Sequence, residues 1–453
     1  MSALKATQQS DRNFHFRPKQ VLRPTTEKEL KDILRPENRL PLPIRPVGAN
    51  TSTTGCTAAD GGTVIDLTGL SEILSMDREQ VTVQAGVSLR QLADVLDENG
   101  LELPGYYDFC DRTIGGAVCG GCIGPSLPGD GALLSSQVLG LKMITADGQT
   151  VELREDDERQ GRLLSMIRLS YGLLGVVYEI TLRVRRARSF TVAYHKLRFD
   201  DLPELLADPA SAQFGTKMYV IPARNRIYLE LRRYAEGTHA MRRLPWKLKD
   251  WLESAAAPAL AQSIAKAVPF RRVRYSLIDG FNDAAHALMN NAVGHEGSHA
   301  LEQTGRFRTL GQHERFSFST WCFKAEDFAR VLSSYRIFCQ ANYRESRFRC
   351  DMPAVAYRMA IDQRAALSPS YNGPMYALSV CSTPSEEWKD FVLDFSDFAG
   401  GHAGVPLLHQ SRGATVAQCE AAYGNRLTFF RKLRQKLDPD DRFANPFLLQ
   451  YML

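Results

Sequence analysis

Two short stretches of the chain are built so that something can come close to the backbone. The first is residues 45–55, "RPVGANTSTTG". The second is residues 113–126, "TIGGAVCGGCIGPS". Glycine opens main-chain conformations closed to other residues and removes the Cβ that would hold a ligand away. Asn50, inside the first stretch, belongs to the few non-glycine types that tolerate positive φ. Successive exposed N–H groups in such loops form anion-binding concavities, and Thr and Ser hydroxyls add donors. One such loop alone reads first as a tight turn at a sheet edge. Two, each beside a strand-like segment, point to a ligand carrying a diphosphate. Neither is a P-loop, since no Gly-Lys-Ser/Thr stands at the right place. Neither is a G-x-G-x-x-G opening a helix after a strand. The expected site is therefore not a Rossmann site.

The chain has 453 residues, 44% hydrophobic and 24% charged, which is ample for two cores. A net charge of +5 suits an anionic ligand and gives no reason to expect nucleic acid. Nine cysteines at uneven spacings read as a reducing compartment rather than a disulfide framework. The N-terminal "MSALKATQQSDRNFHFRPKQ" is polar, so no signal peptide is expected there. No window of about 18 apolar residues occurs. The expected location is cytoplasmic, with peripheral membrane contact open through residues 241–275. There Trp246 and Trp251 lie in a run that starts and ends cationic. A surface helix of a substrate domain accounts for the same pattern.

Secondary-structure signals divide the chain. Thr25 or Thr26 caps a short helix, and Ser88 caps another whose Leu89, Leu92, Val95 and Leu96 share a face and which Gly100 stops. "QVLGLKMITADGQTVEL" reads as a hairpin turning at Asp147-Gly148. Beyond residue 190 the strands lengthen and turn aromatic, interleaved with helices, which predicts an antiparallel sheet with helices packed on it. Residues 411–453 return to a helix, "AQCEAAYGNRLTFFRKLRQKL". The expectation is an α+β protein in three parts: residues 1–190 for the cofactor, 191–410 for the substrate as a cap, and 411–453 folding back on the first part.

The order "RPVGANTSTTG", "GGTVIDLTGLSEI", "VTVQAGVSLRQLADVLDENGLELPG", "TIGGAVCGGCIG", "QVLGLKMITADGQTVEL", "GLLGVVYEITLRV" resembles the FAD-binding domain of the vanillyl-alcohol oxidase / p-cresol methylhydroxylase (PCMH-type) flavoproteins. The tail "RQKLDPDDRFANPFL" is similar to that of sugar-oxidising members, such as aldonolactone and decaprenylphosphoryl-ribose oxidases. The resemblance implies a PCMH-type FAD domain of two α/β subdomains. It implies that Arg45, Pro46, Val47, Gly48, Ala49, Asn50, Thr51 and Ser52 wrap the FAD pyrophosphate. Thr113, Ile114, Gly115, Gly116, Cys119, Cys122, Ile123, Gly124 and Ser126 would line the pyrophosphate and the isoalloxazine. Pro104 and Gly105 would sit beside the ring, Gly175, Val176 and Val177 at the adenine end, and Asn445 near the ring. Relatives that join FAD covalently use a His at the position of Thr51, or a Cys at the position of Asp111, next to Cys110. Non-covalent FAD is therefore expected.

Such a flavin takes hydride from a C–H bond beside a hydroxyl, so polar groups should face it. The strand-like run "HAGVPLLHQSRGAT" offers His409 and Arg412, where sugar-oxidising relatives carry a His and, three residues on, a Lys. Residues three apart on a strand point to opposite faces, so a bulge or strand end is needed to bring both in. Arg412 is too basic to take a proton and suits stabilisation of negative charge. His409, if neutral, is either the base or a packed strand histidine. Lys436 corresponds to a substrate-binding lysine of the decaprenylphosphoryl-ribose relatives, or serves the end of a helix dipole. Tyr106 and Tyr107 either roof the substrate or pack. Cys119 and Cys122 form a C-x-x-C with no second pair nearby, so they read as small residues admitting a cofactor, and no metal site is expected. His295 and His299 are rejected as metal ligands because glycines interrupt their helix. The functions in view are oxidation of a CH–OH group in a sugar, lactone, polyol or hydroxy acid; a flavoenzyme acting on a phenolic or lipid-linked substrate; and an inactive flavin-binding subunit. The expected partners are a small-molecule substrate and an electron acceptor, whether oxygen, a quinone or a cytochrome.

Overall fold

The computed structural model describes residues 16–105, 107, 111–235, 251, 256–292, 298–300 and 317–452. Tyr106, Cys110, Trp246, His295 and much of the 241–255 and 293–316 runs lie outside the described residues.

Near the N-terminus a small parallel sheet runs in the order Gln20–Leu22, Thr63–Asp66, Ile44–Val47. Thr26 caps the helix Glu27–Leu34, accepting from the Glu29 amide at 3.2 Å. The first glycine stretch leaves the carboxyl end of Ile44–Val47, the end at which open parallel sheets meet ligands. A five-stranded antiparallel sheet follows, in the order Ile73–Met76, Gln80–Gln84, Val176–Arg183, Val138–Ile144, Thr150–Arg154. The expected hairpin is its 138–154 edge, with Gly148 at φ +79° in the turn. Ser88 caps Leu89–Glu98 as the sequence predicts, and Leu89, Leu92 and Leu96 are buried while Val95 is half-buried.

The second glycine stretch is not a loop throughout. Thr113 caps a seven-residue helix, Ile114–Gly120, by accepting from the Gly116 amide at 3.3 Å. The amides of Ile114 and Gly115 donate to the Val87 and Ala85 carbonyls, both at 2.8 Å, and fix the helix to the turn before Leu89–Glu98. Gly121, at φ +90°, ends it.

Beyond residue 188 an eight-stranded, wholly antiparallel sheet is ordered Ser298–Ala300, Ser189–Leu197, Arg226–Tyr234, Gly215–Ile221, Ala354–Met359, Met375–Ser382, Ser317–Lys324, Val405–Pro406. One face is covered by the helices Phe328–Ser346 and Glu386–Gly401, with Trp321, Tyr335, Trp388 and Phe395 in the core. The other face sends Cys322, Tyr357, Met359 and Ala377 into the core of the N-terminal sheets. Cys419, Tyr423, Phe430, Phe443, Leu448 and Tyr451 of the C-terminal segment join that same core. The single helix expected in this segment is two, Val416–Tyr423 and Asn425–Leu437, broken at Gly424, whose φ is +51°. The whole is an α+β fold.

Candidate functional site

A cleft opens between the two glycine stretches. Its walls are the main chain of Pro46 to Ser52 on one side and Thr113, Gly115, Gly116, Ala117 and Cys119–Gly121 on the other. Arg112, Tyr171, Gly172, Gly175, Val177 and His409 are also in the lining. Asn50 is left-handed at φ +51°, as its residue type permits, and its Oδ1 accepts from Thr57 Oγ1 at 3.0 Å.

The cleft is assembled from distant parts of the chain. Arg45 is 1% exposed and lies behind it, donating to the carbonyls of Cys56 at 3.1 Å and of Phe443 and Tyr171. Its role is to tie three segments together, so its guanidinium points into protein; burial pulls its pKa down to about 10. Asn445 does the same from the C-terminal segment: its Nδ2 donates to the carbonyls of Gly55 at 2.9 Å and Ala58 at 2.7 Å. It therefore braces the first stretch and is not among the lining residues. The turn 407–410 grips the same stretch. Ser52 Oγ and the Thr53 amide donate to the His409 carbonyl at 2.8 and 3.0 Å, and Thr54 Oγ1 to the Leu408 carbonyl at 2.6 Å.

His409 is the catalytic candidate that reaches the cleft. The strand before it ends at Pro406, and the residue lies on the turn that follows, which supplies the strand end its spacing required. Its ring is 8% exposed, and neither ring nitrogen has a hydrogen-bond partner of ordinary geometry. Burial, and then the Arg112 charge, pull its pKa down to about 3, with the Gly121 main chain pulling weakly the other way. The imidazole is therefore neutral, and too weak a base to collect a proton near neutral pH. Arg412 is half-buried on the same turn, outside the lining, its amide donating to Ser319 Oγ at 3.3 Å. Lys436 is exposed on the last turn of Asn425–Leu437 and does not approach the cleft, so the dipole reading fits it.

Several expected cofactor contacts serve the scaffold instead. Ile114, Cys122, Ile123 and Val176 are in the hydrophobic core. Gly124 is buried outside the lining, and the Ser126 carbonyl abuts Gly215 of the large sheet. Pro104 and Gly105 are covered by Tyr107, whose hydroxyl donates to the Pro104 carbonyl at 2.6 Å. Neither Cys119 nor Cys122 is in a disulfide, and burial pushes the Cys119 thiol up to about 12. Among the described residues no group of three or more side chains could hold a metal. Seven lining residues fall outside the two glycine stretches and the other expected contacts: Cys56, Thr57, Leu67, Ala85, Arg112, Tyr171 and Gly172. The last two have positive φ, +54° and +71°, and their "YG" signal stands just ahead of Gly175. Nothing in the sequence pattern marks Arg112 as buried.

These features fit FAD. The lining is mostly small residues, joined by Arg112, Tyr171 and His409, and a Cβ on Gly116 would meet only Thr113 Oγ1. No carboxylate occurs among the described lining residues. A diphosphate and a flat ring with several acceptors suit such a cleft.

Comparison with known proteins agrees. Residues 18–154 match the FAD binding domain model, and residues 180–451 match the D-arabinono-1,4-lactone oxidase model. The second match spans more than half of the chain, which thus belongs to the D-arabinono-1,4-lactone oxidase family of PCMH-type flavoproteins. Among curated relatives, L-gulono-1,4-lactone dehydrogenase of Mycobacterium tuberculosis is 32% identical over 183 residues, 40% of this chain and 40% of that protein. The mitochondrial L-galactono-1,4-lactone dehydrogenase of Brassica oleracea is 32% identical over 164 residues, 35% of this chain and 26% of that protein. The matches thus span well under half of these relatives' length. The fold is that of cholesterol oxidase from B. sterolicum, with a TM-score of 0.74 and 14% identity over 96% of this chain and 94% of that one. Among the described residues no helix is long and apolar enough to cross a membrane.

Proposed function

We propose that this chain is an FAD-dependent oxidoreductase that oxidises the CH–OH group of an aldonolactone or a sugar of similar size. The observation that carries this is the cleft itself: two small-residue main-chain walls and a buried neutral histidine, in a chain of the lactone oxidase family. When bound, FAD supplies the hydride acceptor. The chain's own residues hold the cofactor, keep water out, and present a neutral imidazole at the cleft wall. Relatives are named both dehydrogenases and oxidases, which fits oxygen, a quinone or a cytochrome as electron acceptor. The three-part division at residues 190 and 410 is our reading of the labour: cofactor, substrate, and brace.

The deciding experiment is anaerobic mixing of the yellow protein with L-gulono-, L-galactono- and D-arabinono-1,4-lactone. Bleaching by one of them is expected. Flavin that never bleaches with any lactone or sugar would instead fit the inactive flavin-binding subunit. Thr51 cannot carry a histidyl link, so acid precipitation should leave FAD in the supernatant; colour in the pellet would contradict this. Peripheral membrane contact through residues 241–275 would rest, among the described residues, on Trp251, Phe270 and Val273, exposed at 56%, 73% and 50%, with Arg271 and Arg272 beside them. Sedimentation with phosphatidylglycerol vesicles, absent with phosphatidylcholine, is the expected result.

A further inference from the structure

The cleft has two cations among its described lining residues, Arg45 and Arg112. They are not equivalent. Arg45 is committed to three carbonyls behind the wall. Arg112 stands one residue ahead of the Thr113 cap and is 6% exposed. Its carbonyl accepts from the Leu89 amide at 2.9 Å, which pins its backbone to the start of Leu89–Glu98. Its guanidinium lies 3.5 Å from Cys122 Sγ. No carboxylate occurs among the described lining residues, and the Arg112 charge is felt at His409, whose pKa it helps to lower.

His409 faces the same space from the opposite part of the chain. A Cβ on Gly120 would lie 3.7 Å from its Cδ2, and one on Gly121 would lie 3.6 Å from its Cε1. A buried imidazole with both nitrogens unmet is costly unless something in the cleft meets them. A flavin ring offers both acceptors and an N–H donor, and it gains negative charge when it takes up electrons. Interactions that are stronger with the reduced ring than with the oxidised one shift its potential; those equal for both do not.

We propose that Arg112 and His409 together set how much more tightly this cleft holds reduced than oxidised FAD, Arg112 as a fixed positive charge and His409 as a neutral hydrogen-bonding partner of the ring. This rests on the FAD reading of the cleft. Arg112 is then a tuning residue for electron transfer that no motif marks.

The test titrates the deflavinated protein with oxidised FAD and, anaerobically, with dithionite-reduced FAD. A weakly binding variant still reports the ratio of the two affinities. Arg112→Met should lower the reduced-over-oxidised ratio tenfold to a hundredfold, a potential about 30–60 mV more negative for a two-electron couple. Arg112→Lys should recover most of it, and His409→Phe should lose a smaller factor in the same direction. An equal loss for both forms in Arg112→Met overturns the proposal and assigns the charge to the diphosphate. Wild-type protein that binds neither form overturns the FAD reading itself.

Discussion

A Cβ placed on Gly48 would lie 1.9 Å from Thr113 Oγ1, whereas one placed on Gly116 would meet only that same oxygen, at 3.0 Å. The two glycine stretches look alike in sequence, yet their glycines answer different demands. Gly48 lets the first stretch rest directly on the cap of the second. Gly116 meets that side chain only at its oxygen and lines the cleft. The supports differ as well. The second stretch is held locally, by its own helix and by the Ala85 and Val87 carbonyls. The first is held from far away, by Asn445 and by the turn at His409.

The largest effect should follow from Gly48→Val. Its side chain must displace the Thr113 side chain, which costs about 1–3 kcal/mol by the usual scale of overpacking. The deflavinated protein itself should therefore melt several degrees lower, as differential scanning fluorimetry would show. An unchanged melting temperature would break the contrast between the two glycines. Gly116→Ala should do the reverse. Alanine is better than glycine inside a helix by up to about 1 kcal/mol, so the deflavinated protein should hold its melting temperature while FAD affinity falls at least tenfold. Full FAD affinity would mean that the helix does not face the cofactor.

Asn445→Ala addresses the remote support. It leaves the Gly55 and Ala58 carbonyls unmet in a buried place, a loss of roughly 1–3 kcal/mol. Because the brace shapes the first stretch, both stability and FAD affinity should drop together, in contrast to Gly116→Ala. A loss of affinity without a loss of stability would return Asn445 to the role of a ring neighbour.

This contrast also explains what could be read in advance. Features encoded by neighbouring residues were legible: the Thr26 and Ser88 caps, the Asp147-Gly148 hairpin, the aromatic strands of the large sheet, and Asn50 in the left-handed region. Features that depend on which distant segment arrives were not. The family resemblance makes Arg45 and Asn445 look like ligand contacts, but their donors meet carbonyls of segments more than a hundred residues away, Tyr171 for one and Gly55 for the other. Lys436 corresponds to a substrate-binding lysine of sugar-oxidising relatives, yet here it is exposed on the last turn of its helix. Arg112 carries no periodic or motif signal, since its burial follows from the closing of two loops around it.

His409 touches both stretches, its carbonyl holding Ser52 and Thr53 while its ring lies against Gly120 and Gly121. Acid should therefore act on both at once. Its folded pKa is held down to about 3 against an ordinary 6.5, so the folded state disfavours the protonated ring. The neutral ring's contribution is fully present above pH 6.5 and is lost as pH falls toward 3. Between pH 6.5 and pH 5 the loss amounts to about 2 kcal/mol, at roughly 1.4 kcal/mol per unit. The deflavinated wild type should lose that stability on acidification, and His409→Gln, which cannot take the proton, should lose less. Urea unfolding of both proteins at pH 7 and pH 5 measures the difference directly. Parallel losses would mean that the ring reaches solvent and titrates normally.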